Sequence, residues 1–289
     1  MTDFSFSFLT AKEMPVLHQT FLKAFADYLV PIQLDETQFK AKVQREGIEP
    51  SFCVAAFNGG QMVGFILTGL GEWLGKPTAY NAGTGVLPAY RGHRLTQQLY
   101  TFLVPKLRES GVECCLLEVI QENIPALKSY QSIGMQTTRS LDCFRVKKEE
   151  LLLQAEAPQN ITIAKASKPD WDLYQSFWDI APTWQNAVQS IKRSINENTI
   201  LEARDEDKRL TGYIIVYPKN GAIAQLAVAK NSRNTGIATA LLRVAVKLTD
   251  APALMCINID TAGTHVISYL QKRYFKRILG QYEMLMTLV

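Results

Sequence analysis

Two stretches of the chain have the residue types and spacing to hold an anion. The first is Val86-Leu87-Pro88-Ala89-Tyr90-Arg91-Gly92-His93-Arg94-Leu95. It follows a strand-like run over 77–86 and opens an amphipathic run over 95–108 with helical spacing. A strand, a tight Arg-Gly turn and a helix N-terminus together build an anion site. The first amides of a helix have no intrahelical partner, and the helix dipole puts partial positive charge there. Phosphate is the expected guest. The second stretch, within 226–242, repeats the layout with Arg233 as its turn residue, 142 positions after Arg91.

The elements that must position these turns repeat too. The first half reads as a strand over 4–9, helices over 11–28 and 35–45, and strands over 51–58 and 61–70 joined at Asn58-Gly59-Gly60, a hairpin signal. A Gly-rich connector over 71–77 leads into the strand, turn and helix, and Gly111 ends that helix. An apolar run over 113–120 reads as a buried strand, 123–133 as a helix ended by Gly134, and 135–146 as a strand. After a polar stretch the order returns. There are strands over 161–165, 200–204, 209–217, 222–229, 254–259 and 275–289, with helices over 171–180, 183–195, 235–248 and 264–272. This predicts domains at 1–150 and 161–289 with a linker at 151–160 that carries Ala157-Pro158-Gln159-Asn160. A period of half the chain marks a duplicated domain, since solenoid periods are ~20–50 residues.

Composition narrows the class. The chain has 289 residues, 47% hydrophobic and 20% charged, which excludes disorder and leaves room for two cores. The net charge of +4 is too small and too spread out to argue for nucleic acid, though it suits an anionic ligand. Five cysteines, with no Cys-x-x-Cys, argue against a disulfide framework or a zinc site. His18 and His265 have no metal-ligand partners in sequence. No run approaches the ~18 apolar residues of a membrane span, and the N-terminus lacks the regions of a signal peptide, so the expectation is a cytoplasmic protein with no membrane partner.

Each half therefore runs strand, two helices, three strands, helix, strand, helix, strand. With the turn, this order resembles the GNAT superfamily of acyl-CoA-dependent N-acetyltransferases, over nearly the whole chain and as two tandem domains. The resemblance implies an α/β fold, a mixed and strongly twisted sheet with helices on both faces, and acetyl-CoA as co-substrate. The family signature is (Gln/Arg)-x-x-Gly-x-(Gly/Ala) after the fourth strand. The first half offers Arg91-Gly92-His93-Arg94-Leu95-Thr96, which departs from it at Arg94 and Thr96. Arg94 has two readings. Its side chain fills the site, or the loop keeps a φ < 0 shape with the guanidinium turned outward or toward a phosphate. The second half offers Arg233-Asn234-Thr235-Gly236-Ile237-Ala238, a match at every defined position.

Downstream the ranking reverses. Glu118, Asn123 and Tyr130 resemble, in their spacing, the ribosomal-protein alanine acetyltransferases of the superfamily. That resemblance implies Glu118 as general base, Tyr130 as general acid and Asn123 as a CoA contact. It implies a cofactor-binding set of Val86, Arg91, Gly92, His93, Arg94, Leu95, Thr96 and Asn123. The alternative set is Val228, Arg233, Asn234, Thr235, Gly236, Ile237 and Ala238. In the second half the same spacings fall on Asn258, Gly263 and Leu270, which can supply neither base nor acid. Tyr269 lies beside the acid position, but one step turns it ~100° around the helix.

The chemistry needs such groups. An α-amine with a pKa of about 7.7–8.0, or a lysine amine at about 10.4, is mostly protonated and must lose a proton before attacking a thioester. Glu118 suits that task, Tyr130 suits protonation of the leaving thiolate, and by family analogy a backbone amide near Gly85 to Leu87 holds the oxyanion. Structural readings stand beside these: Glu118 paired with a buried Arg, Tyr130 as core, Asn123 as a helix cap. His93 reads as solvated rather than catalytic. Trp73 and Tyr80 border the connector and line either an acceptor pocket or the core. Asp27, Tyr28, Asp35 and Glu36 fall where such folds bind the acceptor, with surface charge the favoured reading. The sequence thus predicts transfer of acetyl from acetyl-CoA to a small-molecule or peptide amine by the N-terminal domain, beside a degenerate C-terminal one. A non-catalytic acyl-CoA-binding or regulatory module, and CoA bound at Arg233 to Ala238, are the alternatives. Metal and nucleic-acid partners are not expected, and the oligomeric state is not readable.

Overall fold

The computed structural model describes residues 3–30, 32–154, 158 and 160–288. Residues 155–157 and 159 of the expected linker lie outside the described residues. The first repeat begins with β1 (Ser5–Phe8), α1 (Met14–Ala24) and α2 (Glu36–Glu46). Asp35 caps α2 with a capping box: its carboxylate accepts from the Gln38 amide, and the Gln38 side chain accepts from the Asp35 amide. β2 (Val54–Asn58), β3 (Gln61–Trp73) and β4 (Lys76–Val86) form an antiparallel meander. The expected connector over 71–77 is strand instead, paired out to Trp73↔Lys76. Leu74 and Gly75 both take left-handed φ, 50° and 78°, and make the two-residue hairpin turn. Leucine is an uncommon first residue there, which is why the turn is hidden in sequence.

α3 (Leu95–Glu109) then leads to β5 (Cys114–Ile120), α4 (Ile124–Ser132) and β6 (Gln136–Lys147). Helices cover opposite faces of the sheet. Phe65 meets Phe21 of α1, while its neighbour Gly64 lies beneath Leu99 of α3. α2 presses so closely on β3 that a Cβ on Gly69 would sit 2.3 Å from the Glu46 carbonyl oxygen. β5 runs parallel to β4 but pairs with it only at Thr78↔Cys114, Ala79↔Cys115 and Tyr80↔Leu116. Beyond Tyr80 the two strands part.

The second repeat follows the same order: β7 (Thr162–Lys165), α5 (Trp171–Ser176), α6 (Val188–Arg193), β8 (Thr199–Arg204), β9 (Leu210–Tyr217), β10 (Ala222–Val228), α7 (Ile237–Leu248), β11 (Ala253–Asp260), α8 (Thr264–Gln271) and β12 (Lys276–Thr287). Its first two helices are shorter than sequence spacing predicts. Pro182 disfavours helical backbone at Ala181, and only a short 3-10 turn at Trp184–Asn186 precedes α6. All five cysteines are buried free thiols.

The chain divides into two compact units, and one of them is discontinuous. Unit 1 holds the residues up to Arg139 together with those from Tyr282 on, and unit 2 is Ser140–Gln281. In unit 1 the strand beyond β5 is therefore the end of β12. In unit 2 the strand beside β11 is the latter part of β6, paired antiparallel from Leu141↔Asp260 to Lys147↔Ala253. The boundary expected at 151–160 lies within unit 2, because contacts across strands outweigh the break in composition.

Candidate active site

The Arg91-Gly92 turn in unit 1 is held from behind. The Arg91 guanidinium forks onto Asp27 at 2.6 and 2.7 Å, donates to the Ala24 carbonyl at 3.0 Å, and through Nε donates to the Val86 carbonyl at 3.3 Å. This ties the end of α1 to the end of β4, and the guanidinium of Asp27's partner holds that carboxyl below its usual range. Arg91 thus contributes its backbone, not a free cation, to the turn. Gly92 and Arg94 both adopt left-handed backbone, φ 84° and 55°. The φ < 0 shape considered for Arg94 is therefore corrected: Arg94 occupies the left-handed position at the start of α3, and its side chain is exposed. His93 is exposed in the turn, Leu95 is buried as the first helical residue, and Thr96 is half-buried. The amides that open α3 have no intrahelical acceptor.

Beyond the turn lies the opening between β4 and β5. The Leu87 amide donates back to Val63 of β3 at 2.9 Å. Antiparallel pairing alternates, so Val86 turns its N–H and C=O to the other side, where β5 has departed. On the α1–α2 face, the Tyr80 hydroxyl donates to Glu118 Oε2 at 2.5 Å. Glu118 Oε1 is buried without a hydrogen-bond partner. Burial raises the Glu118 carboxyl to about 8; the Tyr80 hydrogen bond opposes this, and nearby Glu283 and Glu46 add to it. The partner of Glu118 is a tyrosine, not the buried arginine weighed from sequence.

Asn81, next to Tyr80 along β4, faces α3. Its Nδ2 donates to Tyr100 Oη at 2.7 Å and to Thr84 Oγ1 at 2.8 Å. Tyr130 of α4 packs edge-on against Tyr100, with ring centroids 6.4 Å apart. Burial raises the Tyr130 phenol, and hydrogen bonding to Thr84 and Asn81 partly offsets that rise. Asn123 caps α4 through the Ala126 amide and donates to Tyr28 Oη at 3.4 Å. So Glu118 and Tyr130 stand on opposite faces of the sheet, flanking the gap between β4 and β5. Thr84, Asn81 and Tyr100 join the site although the sequence reading passes over them. The signal for Asn81 is a polar residue between strand positions that must face a helix. Glu283 is the other omission, a lone carboxyl in the apolar run of β12.

Unit 2 repeats the clamp and changes the gap. Arg233 bonds Asp179, the Phe177 carbonyl and the Val228 carbonyl. Asn234 and Gly236 carry the left-handed φ values, 63° and 92°, with Thr235 between them and Ile237 and Ala238 opening α7. β10 and β11 pair in parallel at Ala222↔Met255. Past that point a hydrogen-bonded chain crosses between them. Trp178 Nε1 donates to Tyr213 Oη, Tyr213 Oη to Gln225 Oε1, Gln225 Nε2 to the Asn186 carbonyl, and Asn186 Nδ2 to the Ile257 carbonyl. Counted along the strand from Met255, the place of Glu118 falls on Ile257; counted back from the α8 cap at Gly263, it falls on Asn258. An irregularity in β11 between Cys256 and Ile259, with Asn258 at φ 57°, absorbs the extra residue. Leu270 is buried at the Tyr130 place, and Tyr269 turns to Thr239 and Arg273.

Comparison with known proteins agrees with this fold. The profile of the acetyltransferase (GNAT) family matches residues 17–135 and again 169–278. The N-alpha-acetyltransferase MAK3 of Arabidopsis thaliana is 31% identical over 106 residues, a match spanning 34% of this chain and 56% of that protein. A tandem GNAT protein from the clavulanic acid biosynthesis pathway superposes with a TM-score of 0.74 at 15% identity, over 99% of both chains. A GCN5-related N-acetyltransferase from Sphaerobacter thermophilus gives 0.73 at 16% identity, over 99% of this chain and 96% of that one. No helix among the described residues is long and apolar enough to cross a membrane. With the fold, the paired turns and both family matches in register, the chain belongs to the acetyltransferase (GNAT) family, as an acyltransferase of the tandem form.

Proposed function

We propose that unit 1 transfers an acetyl group from acetyl-CoA to a primary amine, with Glu118 as base and Tyr130 as acid. The observation that carries this reading is the gap between β4 and β5, with a carboxyl on one face and a phenol on the other. Acetyl-CoA fits the residues present. Gly92 and Arg94 shape a turn of left-handed backbone, a Cβ on Gly92 would meet nothing within 4 Å, and α3 offers free amides for a pyrophosphate. Gly92, His93, Arg94, Leu95 and Thr96 would hold that end, with Val86 and Asn123 along the gap. When bound, acetyl-CoA supplies the activated acyl thioester. Glu118 Oε1, buried and unpartnered, accepts the proton of the incoming ammonium. Tyr130 keeps its proton on Oη at neutral pH and offers it toward the gap. Val86 directs a backbone amide to the same opening. The name of the Arabidopsis relative makes α-amines of peptides the first acceptors to try.

A second reading places CoA in unit 2, at Val228 and Arg233 to Ala238. It is favoured by Gly236, which stands where unit 1 has Arg94. The Asn186 bridge between β10 and β11 argues against an acyl arm there. Thiol release from acetyl-CoA across a panel of peptides, polyamines and amino acids tests the main reading. Release that needs Tyr130 and Glu118 supports it. CoA binding without release for any amine points to a binding module.

A further inference from the structure

A row of ionisable side chains crosses unit 1 on one face of the sheet. Strand order there is β4, β5, β12, β6, and the row is Tyr80, Glu118, Glu283 and Arg139. The Leu288 amide donates to the Glu113 carbonyl at 2.7 Å. Five residues forward along β5 and five back along β12 bring Glu118 and Glu283 together, as antiparallel strands must. Glu283 is 3% exposed. Arg139 Nε donates to its Oε1 at 2.8 Å, Arg139 Nη2 bonds its Oε2, and Thr138 Oγ1 donates to its Oε1 at 2.9 Å. Arg139 also lies over the Trp73 ring, 5.3 Å from the centroid. Both Glu283 oxygens are thus engaged by Arg139, and Oε1 by Thr138 as well. The remaining charged neighbour is Glu46 of α2, fully buried and ion-paired to Lys42 and Arg45. Each of those carboxylates is paired with cations; among the described residues Tyr80 is the hydrogen-bond partner of Glu118, and Arg139 acts on it more weakly than Glu283 or Glu46.

We propose that Glu283, brought into unit 1 on β12, is a positioning residue for Glu118: its clamped carboxylate stands as a negative wall that keeps the Glu118 carboxyl turned to Tyr80 and strengthens it as a proton acceptor. Like charges opposite one another on adjacent strands repel, so a held Glu283 opposes ionisation of Glu118. Arg139 holds the Glu283 carboxylate in place through both of its oxygens. This inference rests on the reading of Glu118 as the base, and its test separates the two.

The full chain is labelled with carboxyl-13C glutamate, and the Glu118 resonance is assigned by its loss in Glu118→Gln. Its titration midpoint is expected to fall in Glu283→Gln and to stay near the wild-type value in Glu283→Asp, which keeps the charge. Should Glu283→Gln fail to fold because Arg139 is left buried and unpaired, the double variant R139M/E283M removes both charges, and the midpoint falls there too, by less, because Glu283 acts on Glu118 more strongly than Arg139 does. An unmoved or raised midpoint in a folded variant overturns the proposal whatever the kinetics. The rising limb of kcat/KM against pH is followed in the same proteins and is expected to move with the midpoint. A midpoint that moves while the limb stays fixed upholds the coupling of Glu283 to Glu118 and removes Glu118 as the base.

Discussion

Tyr80 donates to one oxygen of Glu118 at 2.5 Å and leaves the other oxygen buried and unpartnered. Tyr80 is itself buried, and its phenol is pushed well above its ordinary range by burial and by the Glu118 charge. The proton therefore stays on the tyrosine, and the second oxygen has no hydrogen-bond partner among the described residues.

Activity is expected to follow the ionisation of Glu118. Its carboxyl sits at about 8, so the base form is scarce at pH 6 and dominant at pH 9. The kcat/KM for an amine acceptor should rise about tenfold per pH unit below the midpoint and level off above it. Glu118→Gln should lower the plateau by about 10²- to 10⁴-fold and abolish the Glu118 limb, leaving only the limb of the amine itself. Steady-state profiles from pH 6 to 9.5 with two amines of different basicity make the check.

The same carboxyl ties stability to pH. Unfolded, it titrates at its ordinary value of 4.5; folded, at about 8. Between these values the folded chain holds the extra proton, so stability falls as pH rises, by at most about 1.4 kcal/mol per unit. Glu118→Gln should unfold at a denaturant concentration less sensitive to pH over this window, and should exceed wild type in stability at pH 8.5. Urea titrations at pH 5.5 and 8.5 measure both.

Tyr130→Phe should keep acetyl-CoA affinity and lose about 10²-fold or more of turnover, the scale of a general acid. Calorimetric binding beside single-turnover rates separates the two effects. Equal turnover in the variant would leave Tyr130 as core.

Asn186→Ala should destabilise the chain by about 1–3 kcal/mol, because it strips the Ile257 carbonyl of a buried donor. Acetyl transfer should persist, since the bridge lies wholly in unit 2. Denaturant midpoint and turnover, measured on one preparation, give the answer.

Arg94→Gly should remove the left-handed strain at φ 55° and raise stability by up to about 1 kcal/mol. The KM for acetyl-CoA reports whether the guanidinium reaches a phosphate: a several-fold rise says that it does.

Much of this architecture was legible because it depends on local chemistry. Asp35 begins its helix through its carboxylate, and Gly111 and Gly134 follow helix ends in left-handed backbone that a residue without a Cβ adopts freely. The turn after Arg91 and Arg233 is recognisable in both halves because its backbone needs left-handed positions two residues apart, Gly92 and Arg94 in one and Asn234 and Gly236 in the other. Long-range relations were hidden. Nothing near Glu118 in sequence announces Glu283, which reaches it only because β12 enters unit 1. Tyr80 looked like one more aromatic beside a connector, and the connector itself proved to be a hairpin turned at Leu74. The bridge at Asn186 escaped notice because its four hydrogen bonds join residues from five separate segments.

The placement of β12 carries an evolutionary consequence. A gene cut within 151–160 would express a first half whose β5 lacks its β12 neighbour, a template for aggregation. Selection on the first repeat thereby extends to the second, since the codons for 282–288 are translated only after it. A chain that is to carry residues 282–288 into unit 1 must include the second repeat, because the way to that strand runs through it.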